Sequence, residues 1–226
     1  MKRLEFLKKG LFGIGGVIGI NTLISSGKQQ PDPTNTPCNT TPTETRGPFP
    51  NKTPLDYVRE NIIGNRVGIP LQIALEVLDS KNNCTPISGV AIDIWHCDNH
   101  GKYSEYGNHR LQPEDLTAEH FLRGRQITDA MGRANFISIF PGFYPDRAPH
   151  IHVEIKDQHE NSLLITQIAF PDTLCEEVYQ TQHYDGTNFL HNLSDGIFKD
   201  SLDLNMTETI TGNVNEGYSM KKKLII

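Results

Sequence analysis

Within nine residues, Tyr144-Pro145-Asp146-Arg147-Ala148-Pro149-His150-Ile151-His152, the chain sets a phenol, a guanidinium and two imidazoles. Successive side chains of a β-strand point to opposite faces. In the run His150–Ile155 the two His therefore share one face, while Ile151, Val153 and Ile155 fill the other. One strand then holds two metal ligands rigidly over a packed core. Tyr144 lies in the turn-prone run Pro141-Gly142-Phe143-Tyr144-Pro145, which folds a third donor back over the imidazoles. A ligating Tyr binds as phenolate, and an unperturbed phenol has a pKa of about 10. The pattern therefore calls for a strongly Lewis-acidic ion such as Fe(III). Each residue also has a plainer use. His150 and His152 suit a hydrogen-bonded pair, Arg147 suits a brace to Asp146 or Asp129, and Glu154 suits a surface carboxylate or a partner that orients an imidazole.

The elements that must position these groups read as strands. Leu71, Ile73, Leu75 and Val77 alternate over one run and Val90, Ile92 and Ile94 over the next, with the turn-like Asp79–Asn83 between them. The two are expected to form a hairpin or lie side by side. Ala134–Phe140, His150–Ile155, Leu163–Phe170, Thr207–Val214 and Tyr218–Ile226 are five further strands, and Leu174–Gln182 reads as a short helix. Short strands with Gly- and Pro-marked turns and little helix predict an all-β fold, a β-sandwich. Lys221-Lys222-Lys223 reads as a solvated strand edge that resists aggregation.

Residues 1–27 begin basic, run apolar from Gly10 to Ile24 and end in Ser25-Ser26-Gly27, the three-part pattern of a signal peptide. The apolar run is shorter than the ~20 residues of a spanning helix, so no permanent membrane anchor is expected. Arg3–Lys8 resembles a twin-arginine signal with the second Arg replaced by Leu. Residues 28–44, rich in Pro, Thr and Asn, read as an extended arm, and residues 45–226 as one catalytic domain. Removing residues 1–27 takes away Lys2, Arg3, Lys8 and Lys9 against Glu5, a net +3, so the formal charge of −6 becomes −9. So acidic a chain, with scattered basic residues, is not expected to bind nucleic acid. Cys38, Cys84, Cys97 and Cys175 form no CxxC pair. In an oxidising compartment they allow one or two disulfides, with Cys97 equally suited to be a buried free thiol.

A second polar segment, Ile92–Tyr106, runs off a strand into a loop with Tyr103, Tyr106, His96 and His100. Here the sequence resembles the intradiol ring-cleavage dioxygenases, non-haem Fe(III) enzymes that open catechols between their two hydroxyls. Trp95, Asp98, Gly101 and Tyr103 match the family's Trp-x-x-Asp-x-x-Gly-x-Tyr loop, and Pro141–Pro145 its Pro-Gly-x-Tyr-Pro turn. Arg147, His150 and His152 match Arg-x-x-His-x-His, and Thr166, Gln167 and Phe170 match Thr-Gln-x-x-Phe. Gly47-Pro48-Phe49 and Gly212–Tyr218 match the start and close of the family core, so the resemblance covers about residues 41–226.

The resemblance implies that Tyr103, Tyr144, His150 and His152 hold Fe(III), and that Tyr144 doubles as the base that takes a substrate proton. Arg147, assisted by Gln167, would stabilise charge on a small aromatic diol, with O2 as co-substrate and a cis,cis-muconate as product. Tyr106 becomes a pocket wall or loop anchor, and His96, His100, His109 and His120 are left to local hydrogen bonds. Ring substituents would be read by loops 46–70 and 104–122, and Arg110, Arg123 and Arg125 are candidate partners for a carboxylate. No Gly-rich dinucleotide motif follows any strand. A cupin also starts from His-x-His, but wants a carboxylate where Ile155 and Lys156 stand. A non-catalytic binding sandwich would leave the clustered Tyr, Arg and His without a task. The oligomeric state is not legible, and the chain is expected to be exported to the periplasm or the extracellular space. N-terminal sequencing of protein from its native host should find a start between about residues 25 and 32; cytosolic protein starting at Met1 would refute this.

Overall fold

The computed structural model describes residues 38–226; the expected signal peptide and the first part of the arm lie outside them. The chain runs β1 (Pro70–Asp79), β2 (Thr85–Pro86), β3 (Ala91–Trp95), β4 (Arg123–Ile127), β5 (Arg133–Ile139), β6 (His150–Lys156), β7 (Ser162–Ala169), α1 (Asp172–Tyr179), α2 (Leu202–Asn205), β8 (Thr209–Asn213) and β9 (Gly217–Ile225). Among the described residues these strands form two sheets. One has the order β2-β1-β9-β8 with β5 also on β1, and the other has the order β4-β3-β6-β7.

Alternation in β1 turns Leu71, Ile73, Leu75 and Val77 inward, where they meet Ile92, Ile94, Ile151, Val153 and Ile155 of the second sheet. β1 and β3 thus face each other across the core. The expected hairpin between them is not formed: β1 pairs with β2, β5 and β9, and β3 with β4 and β6. Two strands that both bury one apolar face can share a sheet or oppose one another, and periodicity does not distinguish these. β4 carries Arg123-Gly124-Arg125-Gln126, with no apolar alternation to announce it. The helix begins earlier than expected, after Pro171, and buries Cys175, Val178 and Tyr179 on one stripe.

The Lys run is corrected as well. β9 is flanked by β1 and β8 and is no edge. Lys222 falls in register with Tyr218, Met220 and Leu224 on the inner face, where it is buried and its ammonium donates to Leu204 O (2.7 Å) and Met206 O (2.8 Å). Only Lys221 and Lys223 face water.

Two segments close the sandwich. Residues 58–62 bridge the edges of β4 and β5, with Arg59 N donating to Arg125 O (3.1 Å) and Ile62 N to Ile137 O (2.9 Å). Residues 38–44 run from one sheet to the other: Thr41 N donates to Ile225 O (2.9 Å) and Glu44 N to Ile165 O (2.8 Å). Cys38 is disulfide-bonded to Cys84, whereas Cys97 and Cys175 are free and buried.

Between the sheets, His96 Nδ1 lies 2.7 Å from Cys97 O and Nε2 lies 2.7 Å from Ser138 Oγ. A carbonyl only accepts, so Nδ1 carries the proton and Nε2 accepts from the hydroxyl. Burial lowers the pKa of this imidazole from 6.5 to about 4. The unfolded chain therefore binds the extra proton between those values, and stability falls as pH drops through that window, being fully present above it. The contribution is on the order of 3 kcal/mol. Denaturant titrations at pH 7 and pH 4 should show that His96→Gln, which does not titrate, has a shallower acid loss than the wild type; equal losses would refute the assignment.

Candidate active site

The outer face of the β4-β3-β6-β7 sheet carries the chemistry. Register aligns Arg123, Trp95, His152 and Gln167 in one row across the four strands, and Arg125, Asp93 and Glu154 in the next. Polar residues in a sheet's outer face would ordinarily meet water, yet every residue of β6 through Ile155 is buried. The segment just after the arm and the loops roof this face. Arg46 meets Glu154 at 2.5 Å, Gln167 Nε2 donates to Thr45 O at 2.8 Å, and Phe49 packs on Tyr103 with ring centroids 4.9 Å apart.

The structure brings together all four proposed ligands. His150 Nε2 and His152 Nε2 are 3.1 Å apart, and the ring centroid of Tyr144 is 5.6 Å from those of both His150 and Tyr103. His150 Nδ1 donates to Ala148 O at 2.6 Å, so its Nε2 presents a bare lone pair. His152 is stacked flat on Trp95, its cross-strand neighbour, with centroids 5.0 Å apart and planes 5° from parallel. The Thr45 backbone pulls its pKa upward, and its Nδ1 is buried without a hydrogen-bond partner. Tyr103 Oη is buried and has no hydrogen-bond partner. A buried polar atom left bare costs about 1–3 kcal/mol, which favours a missing partner at this spot.

Electrostatics agree with a donor set. Burial, and then the Arg147 charge, push both imidazoles well below the usual histidine range, so they stay neutral and free to ligate at pH 7. Burial, and then the neighbouring Tyr144, push the Tyr103 phenol well up. Burial also raises Tyr144, against the pull of Arg147, whose Nη1 lies 3.4 Å from the phenol oxygen. Neither phenol ionises here without a strong cation beside it. Two phenols and two imidazoles suit Fe(III), with its preference for anionic oxygen donors. Among the described residues no group of three or more His, Cys, Asp or Glu forms a metal site, so the carboxylate-bearing set of a cupin is not assembled.

Local folding explains the spacing of the motifs. The Asp98 carboxylate accepts from His100 N (3.0 Å) and Lys102 N (2.9 Å), turning the loop after β3, and Asp98 O accepts from Gly142 N at 3.1 Å. A Cβ on Gly101, whose φ is +72°, would stand 2.1 Å from Phe143 O. The Tyr103 loop and the Tyr144 turn are therefore pressed backbone to backbone, which sets their phenols side by side. Gln112, which the sequence reading missed, clasps Tyr103 through its main chain, with Tyr103 N to Gln112 Oε1 and Gln112 Nε2 to Tyr103 O both at 2.7 Å. Tyr106 turns away, its hydroxyl donating to Pro50 O at 2.8 Å.

Arg147 stands at the margin of this cluster. It pairs with neither Asp146 nor Asp129 but with Asp195, 48 residues on, at 2.8 Å, and donates to Gln167 Oε1. Phe198 lies against both Arg147 and His150, with its ring 5.6 Å from the guanidinium carbon. Asp195 and Phe198 sit in a loop with no periodicity, and nothing in the sequence pointed to them. Two of the candidate ring-carboxylate partners are corrected. Arg123 is fully buried on Ser104, Phe49 O and Asn51, and Arg125 is bidentate to Asp93 with Glu160 beside it. Arg110 is exposed. Glu154 is tied to Arg46 rather than to an imidazole. His96, His100 and His120 have local partners in Ser138, Asp185 and Tyr57, and His109 Nδ1 accepts from Leu111 N.

Comparison with known proteins points the same way. A family model described as Dioxygenase matches residues 47–181. Protocatechuate 3,4-dioxygenase beta chain of Burkholderia cepacia is 31% identical over 130 residues, 52% of this chain and 53% of that one. Chlorocatechol 1,2-dioxygenase of Rhodococcus opacus is 31% identical over 105 residues, 38% of each. The match thus spans about half or less of these curated relatives. An intradiol ring-cleavage dioxygenase from Tetranychus urticae superposes with a TM-score of 0.74 at 29% identity, covering 84% of this chain and 95% of that one.

Gly47 tests the roof over the imidazoles. Its φ is +67°, and an added Cβ would lie 2.9 Å from His152 Cε1 and 3.2 Å from Nε2. Gly47→Ala should cost about 1–2 kcal/mol in backbone strain and weaken the affinity for added metal ion. Gly196→Ala, where no atom lies within 4 Å of the new methyl, should change metal affinity little. Melting curves and metal titrations compare them; equal metal affinity in both variants would refute the contact.

Proposed function

The chain belongs to the intradiol ring-cleavage dioxygenase family, and on that premise we propose that it is a non-haem Fe(III) enzyme that uses O2 to cleave a catechol-type diol between its two hydroxyls, giving a cis,cis-muconate-type product. The observation that carries this reading is the convergence of Tyr103, Tyr144, His150 and His152 on one buried point, with His150 Nε2 unprotonated and Tyr103 Oη unpartnered. These four residues would hold the iron, which when bound supplies a Lewis acid for the diol oxygens and an acceptor for ring electron density.

The protein groups divide the remaining work. Burial raises the proton affinity of Tyr144, so once ionised it is a strong base for a diol hydroxyl, while Arg147 at 3.4 Å lowers the cost of that phenolate. Arg147 also meets negative charge growing on the substrate with a fixed guanidinium in a dry site. Gln167 holds Arg147 and is itself held by Thr45 O. Trp95 stops the His152 ring from turning, Gln112 holds Tyr103 in place, and Phe49 and Phe198 keep water from the donors. Both atoms of O2 enter the product, so the reaction needs no external reductant. Export of the mature chain, proposed from residues 1–27, is compatible with the disulfide at Cys38 and Cys84.

Purified protein should contain about one iron per chain, be red to brown from tyrosinate-to-iron charge transfer, and consume oxygen with at least one of catechol, protocatechuate and hydroxyquinol. His150→Ala and His152→Ala should each lose iron. Tyr103→Phe should shift the colour and lower turnover, and Tyr106→Phe should do neither. Colourless protein with stoichiometric zinc and no oxygen uptake would sink the reading.

A further inference from the structure

The groups around Arg147 leave its guanidinium one free edge. Nε donates to Asp195 Oδ2 at 2.8 Å, Nη2 donates to Gln167 Oε1, and the Phe198 ring lies 5.6 Å from Cζ. Only Nη1 looks toward the reactive atoms, at 3.4 Å from Tyr144 Oη and 3.5 Å from His150 Nε2. Asp195 is wholly buried. Besides Arg147 it accepts from two main-chain amides, Ala148 N on Oδ2 and Ile197 N on Oδ1, both at 2.8 Å. A carboxylate pinned by two amides on separate segments cannot follow a moving guanidinium, so the plane of Arg147 follows the carboxylate. The Ala148 bond has a second effect. Ala148 O is the acceptor of His150 Nδ1 at 2.6 Å, so the peptide that sets this imidazole's tautomer is next to the one Asp195 holds.

Resting on the dioxygenase reading, we propose that Asp195 is a positioning residue, one that acts on the reaction through Arg147 by fixing its guanidinium so that Nη1 is directed at Tyr144 and the substrate. Misplacing a charged group by about 1 Å can cost about 100-fold in rate. Replacing Asp195 should therefore lower kcat while leaving the metal and substrate binding largely in place.

The test is a double-mutant cycle on iron-loaded protein. Asp195→Asn keeps the shape of the side chain but turns one acceptor into a donor. It should lower kcat by about 10- to 100-fold with iron content and the KM for the best diol within about twofold, and both it and Arg147→Lys should shift the tyrosinate charge-transfer band in the same direction. In the Arg147→Lys background, Asp195→Asn should cost little more, since the group it orients is already gone. If Asp195→Asn does not fold, Asp195→Glu, which keeps the charge and moves it by one methylene, is judged by the same readouts. Wild-type turnover in the folding variant, or losses that multiply with Arg147→Lys and track iron content and melting temperature, would overturn the inference. Wild-type protein lacking iron and oxygen uptake would instead overturn the dioxygenase reading, and this inference with it.

Discussion

The structure depends on keeping two neutral imidazoles and two phenols together in a place that water does not reach. His150 Nε2 and His152 Nε2 stand 3.1 Å apart, with the Arg147 charge beside one of them and Tyr103 Oη bare nearby. Burying these groups together has a cost. Two imidazoles this close cannot both be protonated, a cation beside an imidazole opposes its protonation, and a desolvated phenol resists ionisation. The cluster persists because its members are held by backbone and by packing from behind: the Trp95 stack, the Gln112 clasp and the Ala148 and Asp195 acceptors. A high-charge cation among the donors would engage the imidazole lone pairs and lower the cost of ionising the phenols.

That demand accounts for the unusual outer face of the four-stranded sheet. A sandwich ordinarily leaves such a face to water and buries only the inner one. Here β6 is buried on both sides, so its polar residues need partners inside the protein. Arg46, Thr45 and Phe49 come from the segment that follows the arm, Asp195 and Phe198 from a loop far along the chain, and Arg123 ties Phe49 and Asn51 to Ser104. Arg125 with Asp93 and Glu160 makes a second paired row over the same sheet. Each buried charge among these has an opposite charge or a carbonyl in contact, as burial requires.

The division between rigid and replaceable parts follows. Trp95, His152 and Gln167 sit in one register row, so a slip of one residue along β3, β6 or β7 would turn the one on that strand into the apolar core. Tyr103 and Tyr144 sit instead on loops, and their placement rests on backbone contact where Gly101 meets Phe143. The donors on strands are thus located by the sheet, and the donors on loops by two interlocking turns.

Much of this was legible in the residues alone. Alternation in β1, β3 and β6 announced two apolar faces, and His150-Ile151-His152 announced two donors opposite one of them, because both are properties of neighbouring residues. Local sequence could not say that β1 and β3 oppose each other rather than pair, since an inward apolar face looks the same in either arrangement. It left β4 unseen because Arg123 and Arg125 are buried by partners that only the folded chain supplies. It read Lys222 as solvated, although the register of β9 turns that residue inward beneath the carbonyls of Leu204 and Met206. Asp195 and Phe198, in a segment without period or motif, reach Arg147 across 48 and 51 residues of chain. Contacts of that length depend on how the chain returns in three dimensions, which neighbouring residue types do not encode.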